Sequence, residues 1–138
     1  MKISANVQNS SGENTVMLRT GNNTHGLRIA PRPTGQGSSV SGGELLFLAL
    51  ATCYCNDIYR EAAKLNLQIE SVEVEVTGDF GGEGERATNV TYRAKVRSSA
   101  SEAEVRELMQ HTDKVSEIQN TVRMGIPVVL SEIQVVGA

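Results

Sequence analysis

The sequence has no tryptophan and few other aromatic residues, with two phenylalanines and three tyrosines in 138 residues. Proteins that bind single-stranded nucleic acid stack bases on aromatic side chains, and this chain supplies few of them. A basic excess is also missing, because the formal net charge is −3. The composition therefore argues against nucleic acid as a partner.

Long apolar runs are scarce as well. The N-terminus from Met1 to Val7 lacks the apolar run of a signal peptide. The apolar run at 45–51 is followed by Asn56 and Asp57, well short of the ~20 apolar residues that a membrane span needs. We therefore expect a cytoplasmic protein without a membrane span. The length predicts a single domain over residues 1–138.

Cysteine is rare, and the two cysteines, Cys53 and Cys55, are too close together to form a disulfide framework. On a helix they are about 200° apart, so their sulfurs leave opposite faces and cannot bond to each other. Two interpretations remain open. Both can be small buried hydrophobic residues, or one can face a pocket and carry chemistry.

The longest structured stretch runs from Ser41 to Lys64. Ser41 and Glu44 form the pattern of a capping box, which predicts a helix start. Every residue from Leu45 to Ala51 is apolar, which is typical of a buried helix. One small sheet cannot cover such a helix on all sides, so we expect a homodimer in which a second chain covers the rest.

Alternating apolar and polar residues predict antiparallel strands on either side of this helix. We expect strands at 2–8, 14–19, Thr24 to Ala30, Ile69 to Val76, Asn89 to Arg97 and Pro127 to Val136, a helix opened by Ser101 and Glu104, and further helical turns from Val115 until Gly125. The predicted fold class is α+β, with antiparallel sheets enclosing a long central helix.

Several common sites are not supported. The glycines between Gly35 and Gly43 precede a helix, but Glu44 stands where a phosphate loop needs a cation. His25 and His111 are far apart in the sequence, without cysteine or carboxylate at ligand spacing. We therefore expect no cofactor and no metal site.

Cys53 shares one face of the predicted helix with Asp57 and Arg60. A guanidinium near a thiol favours the thiolate. The same arginine and aspartate could instead form a plain surface ion pair.

Glu44-Leu-Leu-Phe-Leu-Ala-Leu-Ala-Thr-Cys53 resembles the core helix of the OsmC/Ohr family, the osmotically inducible and organic-hydroperoxide-resistance proteins. The loop before this helix, the strand after it and the segment from Asp113 to Val129 follow the same pattern. The resemblance implies an intertwined homodimer with active sites at the interface. It also implies that a first cysteine attacks an organic peroxide and a second resolves the sulfenic acid.

Carried over by position, the attacking cysteine of the family falls on Cys53 and the second cysteine falls on Ser116, which cannot form a disulfide. The acidic residue of the family falls on Gly43, and its N-terminal arginine falls near Glu13. Four other arginines are candidates to take the place of the family's N-terminal arginine: Arg19, Arg28, Arg32 and Arg123.

Two functions are therefore expected. The first is a one-cysteine thiol peroxidase that reduces organic hydroperoxides at Cys53 and is restored by an external thiol reductant. The alternative is a non-catalytic dimer that binds a small apolar ligand in the interface pocket, with Cys53 and Ser116 lining it. A catalytic Cys53 is expected to be ionised near neutral pH.

Overall fold

The structure is a computed structural model that describes residues 1–137. The chain divides into two compact units, Met1–Leu46 and a second that begins at Phe47. The single domain expected from the length stays a prediction.

The first unit is built on a three-stranded antiparallel sheet. Its strands are β1 (Ile3–Ser10), β2 (Glu13–Thr20) and β3 (Asn23–Gly26), in the order β1-β2-β3. Gly12 and Gly21 occupy the two turns with φ of 77° and 58°, a backbone region that glycine enters without a steric penalty.

The third strand is shorter than the sequence predicted. It ends at Gly26 instead of continuing to Ala30. The Asn14 side chain donates to the carbonyl of Ile29 at 3.0 Å, so this backbone group is satisfied outside a strand ladder. Pro31 follows, where only an isolated bridge to Ser38 forms.

The long helix α1 spans Gly42–Lys64. Its predicted capping box is confirmed, because the Glu44 amide donates to Ser41 Oγ at 3.1 Å and the Ser41 amide donates to Glu44 Oε1 at 2.8 Å. Burial is uneven along it. Within 45–51 only Leu50 is buried, while Leu48 is 55% exposed.

The second unit packs the rest of α1 against a β-hairpin and two further helices. These are β4 (Ile69–Asp79), β5 (Thr88–Ser98), α2 (Glu102–Val115) and α3 (Glu117–Met124). The buried centre of the core consists of Tyr54, Ile58, Ala62 and Leu108. Apolar residues of β4 and β5 pack against it, as the predicted alternation requires.

The outer face of the hairpin carries cross-strand pairs of opposite charge. Glu73 lies opposite Lys95, and Glu75 lies opposite Arg93 with a 2.8 Å ion pair. The second predicted capping box, Ser101 with Glu104, opens α2. Gly125 ends α3 in the left-handed conformation, as predicted. The α+β fold class with antiparallel sheets is thus confirmed, and the intertwined homodimer stays a prediction.

The last predicted strand, Pro127 to Val136, is wrong for this chain. Residues 126–137 form no strand, and neither sheet of residues 1–137 includes them. The apolar side chains of this segment stay in solvent, with Val128 93% and Val135 91% exposed. A strand needs a partner for its backbone groups, and alternation in the sequence does not supply one.

No helix within residues 1–137 is long and apolar enough to cross a membrane.

Candidate active site

Cys53 lies in the middle of α1, half-buried, with its sulfur directed at Asp57. The thiol donates to Asp57 Oδ2 at 3.4 Å. The two side chains meet because residues four apart on a helix lie one above the other. Asp57 is only 6% exposed, so the acceptor is more buried than the donor.

The start of α3 approaches the same sulfur. The backbone N–H of Ile118, in the first turn of that helix, hydrogen-bonds to Cys53 and lowers the thiol pKa. Ser116 precedes this helix without capping it through its side chain. A helix N-terminus of this kind favours an anion. Sequence reasoning missed this contact, because it joins two helices far apart in the chain.

Arg60 is the cation of the site, and it binds carboxylates. Its Nη1 lies 3.2 Å from Asp57 Oδ1 and 2.9 Å from Glu117 Oε2. Its Nε donates to Glu61 Oε2 at 2.9 Å, and its Nη2 donates to the Val115 carbonyl at 3.3 Å. The predicted pair with Asp57 therefore exists, but its acidic member is buried and a second acid, Glu117, shares the guanidinium.

Of the four arginines proposed from the sequence, one belongs to the second unit and three belong to the first. Arg123 pairs with Asp113, with Nη2 to Oδ1 at 2.5 Å. Arg19, Arg28 and Arg32 belong to the first unit, where Arg32 donates to the Ser38 carbonyl. Within the second unit, Arg60 is the arginine that pairs with Asp57, the hydrogen-bond partner of Cys53.

The net effect of these neighbours is a raised pKa of the Cys53 thiol. Burial is the largest cause of the raised pKa, and the negative charges of Asp57 and Glu117 raise it further. The hydrogen bond from the Ile118 N–H lowers the pKa but does not outweigh these effects. The pKa of Asp57 is also raised, chiefly by burial, although the hydrogen bond from Cys53 and the positive charge of Arg60 oppose this. The raised thiol pKa favours the neutral thiol, whereas a catalytic thiol was expected to be ionised near neutral pH.

Ser116, at the position of the family's second cysteine, is fully buried next to Asp57. Its hydroxyl donates to the Thr112 carbonyl at 2.8 Å, and its proximity to Asp57 lowers the pKa of that carboxyl. Cys53 and Ser116 thus approach the same carboxylate. Cys55 is a half-buried free thiol that is two residues away from Cys53.

Beyond Arg60 the charge network continues to the end of α1. The buried Glu61 accepts from Lys64 at 2.9 Å and from Arg60, and it lies 2.9 Å from His111 Nε2. The hydrogen bond from Lys64, followed by those from Arg60 and His111, lowers the pKa of Glu61 to about 2. Glu61 and His111 also line a cavity of about 480 Å³ whose lining does not include Cys53.

Comparisons with known proteins agree with this fold. The family model described as OsmC-like protein matches residues 35–131. No curated protein sequence matches the chain. An OsmC-like protein from Mycoplasma pneumoniae has a similar structure, with a TM-score of 0.60 and 18% identity, covering 87% of each chain.

Two further solved structures are similar. An OsmC-like protein of unknown function from Vibrio cholerae has a TM-score of 0.59 and 17% identity, over 88% of this chain and 93% of its own. An organic hydroperoxide resistance protein OsmC from Legionella pneumophila has a TM-score of 0.58 and 17% identity, over 89% and 90%. At these identities the structures establish the fold, and the family model covers more than half of the sequence. The chain belongs to the OsmC-like protein family.

Proposed function

We propose that this protein is a one-cysteine thiol peroxidase that reduces an organic hydroperoxide at Cys53, with Asp57 accepting the thiol proton. The observation that carries the proposal is the Cys53 Sγ to Asp57 Oδ2 hydrogen bond of 3.4 Å, made to a buried carboxylate. A positioned base within hydrogen-bond reach of a nucleophile is the general arrangement for activating it.

The proposed reaction begins with proton transfer from the Cys53 sulfur to Asp57. The sulfur then attacks one peroxide oxygen, and the O–O bond breaks as the S–O bond forms. The departing alkoxide takes the proton back from Asp57 and leaves as an alcohol. The Ile118 N–H favours negative charge on the sulfur while the proton is away. Sulfur is oxidised to sulfenic acid, and the hydroperoxide is reduced.

Return to the thiol requires a reductant from outside the chain. Ser116 cannot supply a second sulfur, so an external thiol condenses with the sulfenic acid, releases water and forms a mixed disulfide. A second external thiol then frees Cys53. Such a cycle needs a reducing compartment, which supports a cytoplasmic location. The choice of hydroperoxide as substrate is supported by the name of the Legionella pneumophila relative.

A homodimer is part of the proposal. Apolar side chains stay exposed on α1 and in the segment after α3, including Leu48 at 55% and Leu130 at 80%. Large apolar side chains exposed in such number are typical of a protein that has an interface. A second copy of the chain that covers α1 and pairs with residues 126–136 would bury both.

Replacing Asp57 separates a proton-transfer role from a merely electrostatic one. In Asp57→Asn the negative charge that disfavours the thiolate is gone, so the fraction of thiolate at neutral pH rises and Cys53 alkylation becomes faster. Hydroperoxide reduction nevertheless becomes slower, by about 10²-fold or more, because no group carries the proton to the leaving alkoxide. The two rates are measured on the same preparation, with dithiothreitol as the reductant.

Two variants complete the experiment. Cys55→Ser is the matched control and leaves both rates unchanged, while Cys53→Ser abolishes peroxide consumption. Equal peroxide consumption by wild type and Cys53→Ser would refute the proposed peroxidase activity of Cys53.

The second candidate, a non-catalytic dimer that binds a small apolar ligand, is favoured by one observation, the raised pKa of Cys53. A thiol that stays protonated is a poor nucleophile and lines a site as a small apolar group. Inertness of Cys53 toward organic hydroperoxides, together with saturable binding of an apolar fluorescent probe, would support this function instead.

A further inference from the structure

The Cys53 site has the composition of a metal-binding site as well as that of a thiol site. The Cys53 sulfur and one carboxylate oxygen each from Asp57 and Glu117 lie within 4.8 Å of one another. Ligand atoms around a tetrahedral zinc ion are about 3.3 to 3.8 Å apart, given its bond lengths to sulfur and oxygen. The Cys53 to Asp57 separation of 3.4 Å already fits, and any other pair of these three atoms has to close by no more than roughly 1.5 Å.

The candidate for a fourth donor is Gln119, which lies in α3 two residues after Glu117. Gln119 is 3% exposed, and its side-chain Oε1 is buried without a hydrogen-bond partner. Its Nε2 donates to the Leu50 carbonyl at 2.8 Å, which fixes the amide over the turn that precedes Cys53. The backbone N–H of Ile118, one residue before Gln119, contacts the Cys53 sulfur, so the amide and the thiol belong to the same contact between α1 and α3. A buried amide oxygen that accepts no hydrogen bond destabilises the fold unless a donor or a cation binds to it.

We propose that Cys53, Asp57 and Glu117 bind a divalent transition-metal ion of the zinc class, with the Gln119 side-chain oxygen as the fourth donor. Binding exchanges the thiol proton for the metal, so one proton is released and a sulfur–metal bond forms. A thiolate with two carboxylates and an amide oxygen is a donor set that zinc accepts. The bound ion also blocks the sulfur toward peroxide, and this regulatory part rests on the proposed function.

Arg60 is the competitor for this site, because it binds both carboxylates. It has two further partners, Glu61 at 2.9 Å and the Val115 carbonyl at 3.3 Å, that do not belong to the donor set. The guanidinium can therefore leave Asp57 and Glu117 while keeping part of its hydrogen bonding. A dication then replaces a single positive charge between the two carboxylates.

The test is titration of the reduced full-length protein with ZnCl₂, followed by calorimetry, and with CoCl₂, followed by the sulfur-to-cobalt charge-transfer absorption. We expect one ion per chain, release of one proton per ion, and protection of Cys53 from a thiol reagent. Cys53→Ser abolishes the charge-transfer band and the proton release. Glu117→Gln and Gln119→Leu each weaken binding by tenfold or more.

Matched controls are Cys55→Ser, which removes the neighbouring thiol, and Glu107→Gln, which removes a carboxylate of α2 outside the cluster. Both retain wild-type affinity. Folding of every variant is checked by circular dichroism. Binding that survives Cys53→Ser unchanged, or that is lost in Cys55→Ser instead, overturns the proposal. The absence of any binding at millimolar Zn²⁺ overturns it as well.

The peroxidase assay, run with and without a chelator, keeps the two proposals apart. Hydroperoxide consumption that persists with no metal binding refutes only the metal site. Metal binding by a protein that consumes no hydroperoxide refutes only the peroxidase and the regulation that rests on it. When both hold, added Zn²⁺ suppresses peroxide consumption and chelator restores it.

Discussion

The carboxylate of Asp57 holds the Cys53 thiol from one turn further along the same helix, with 3.4 Å between Oδ2 and Sγ. This relationship makes the resting sulfur a hydrogen-bond donor, and the thiolate would face a buried negative charge. The same pair supplies a nearby acceptor for the proton during a reaction. Raised thiol pKa and assisted proton transfer are therefore two properties of one contact.

The first prediction concerns the pH dependence of Cys53. Because burial and the nearby carboxylates raise its pKa, alkylation of Cys53 rises only above the ordinary thiol value of ~8.5. The measurement is the rate of iodoacetamide labelling against pH in Cys55→Ser, which leaves one thiol to report. Half-maximal labelling near pH 6 would contradict the structure and favour the thiolate expected for a catalytic cysteine.

The second prediction concerns Ser116, which approaches the same carboxylate as Cys53. Ser116→Cys places a second sulfur there, so treatment with an organic hydroperoxide forms a disulfide between Cys53 and the introduced thiol. This requires the two Cα atoms to lie within ~7 Å. Peptide mass spectrometry identifies the linkage, with untreated protein as the control. An introduced thiol that stays free alongside overoxidised Cys53 would show that the two positions do not meet.

A third prediction follows from Glu61. Its folded-state pKa of about 2 lies below its ordinary value of 4.5, so its ion pairs add stability that is complete above about pH 4.5. That contribution is lost as the pH falls toward 2, because protonation then costs more in the folded state. Glu61→Gln lowers the melting temperature at pH 7 and makes it less dependent on pH between 5 and 3.

The control for Glu61 is Glu102→Gln, which removes an exposed i,i+4 pair with Arg106. Exposed pairs contribute little, so this variant melts close to the wild type. Thermal melts across the pH range compare the two. A Glu61→Gln melting curve that parallels that of the control would mean that the buried network adds nothing.

The fourth prediction tests the dimer. Leu48 is 55% exposed, so Leu48→Glu leaves the fold of an isolated protomer intact but places a charge in the proposed interface. Light scattering at micromolar concentration gives a dimer for wild type and for Leu48→Met, and a monomer for Leu48→Glu. The interface is expected to exceed the ~2,000 Å² typical of obligate dimers. A stable wild-type monomer would refute the dimer.

Local features were the ones that the sequence predicted well. Ser41 with Glu44 and Ser101 with Glu104 specify helix starts through hydrogen bonds over three residues, and both capping boxes form. The approach of Asp57 to Cys53 also follows from helical spacing. Such contacts need no knowledge of the rest of the fold.

Tertiary contacts were less accessible. The contact between Cys53 and the Ile118 N–H joins α1 to α3, and no spacing rule relates residues so far apart. For the same reason the sharing of Arg60 between Asp57 and Glu117 was not predicted. The prediction of a strand at residues 127–136 was wrong. Alternating apolar and polar residues show which side chains would share a face, but a strand also needs a neighbouring strand to hydrogen-bond with. The roles of Cys53 and Ser116 stay predictions.

The exposed segment after α3 makes an unassembled protomer prone to aggregation. Residues 126–136 combine β-branched side chains with a single charge, at Glu132, and such segments stack on copies of themselves into aggregates. Pro127 and Glu132 are the residues that slow this process. In the proposed dimer the interface buries the same segment, so dimerisation and aggregation compete for it. Soluble yield then depends on which is faster.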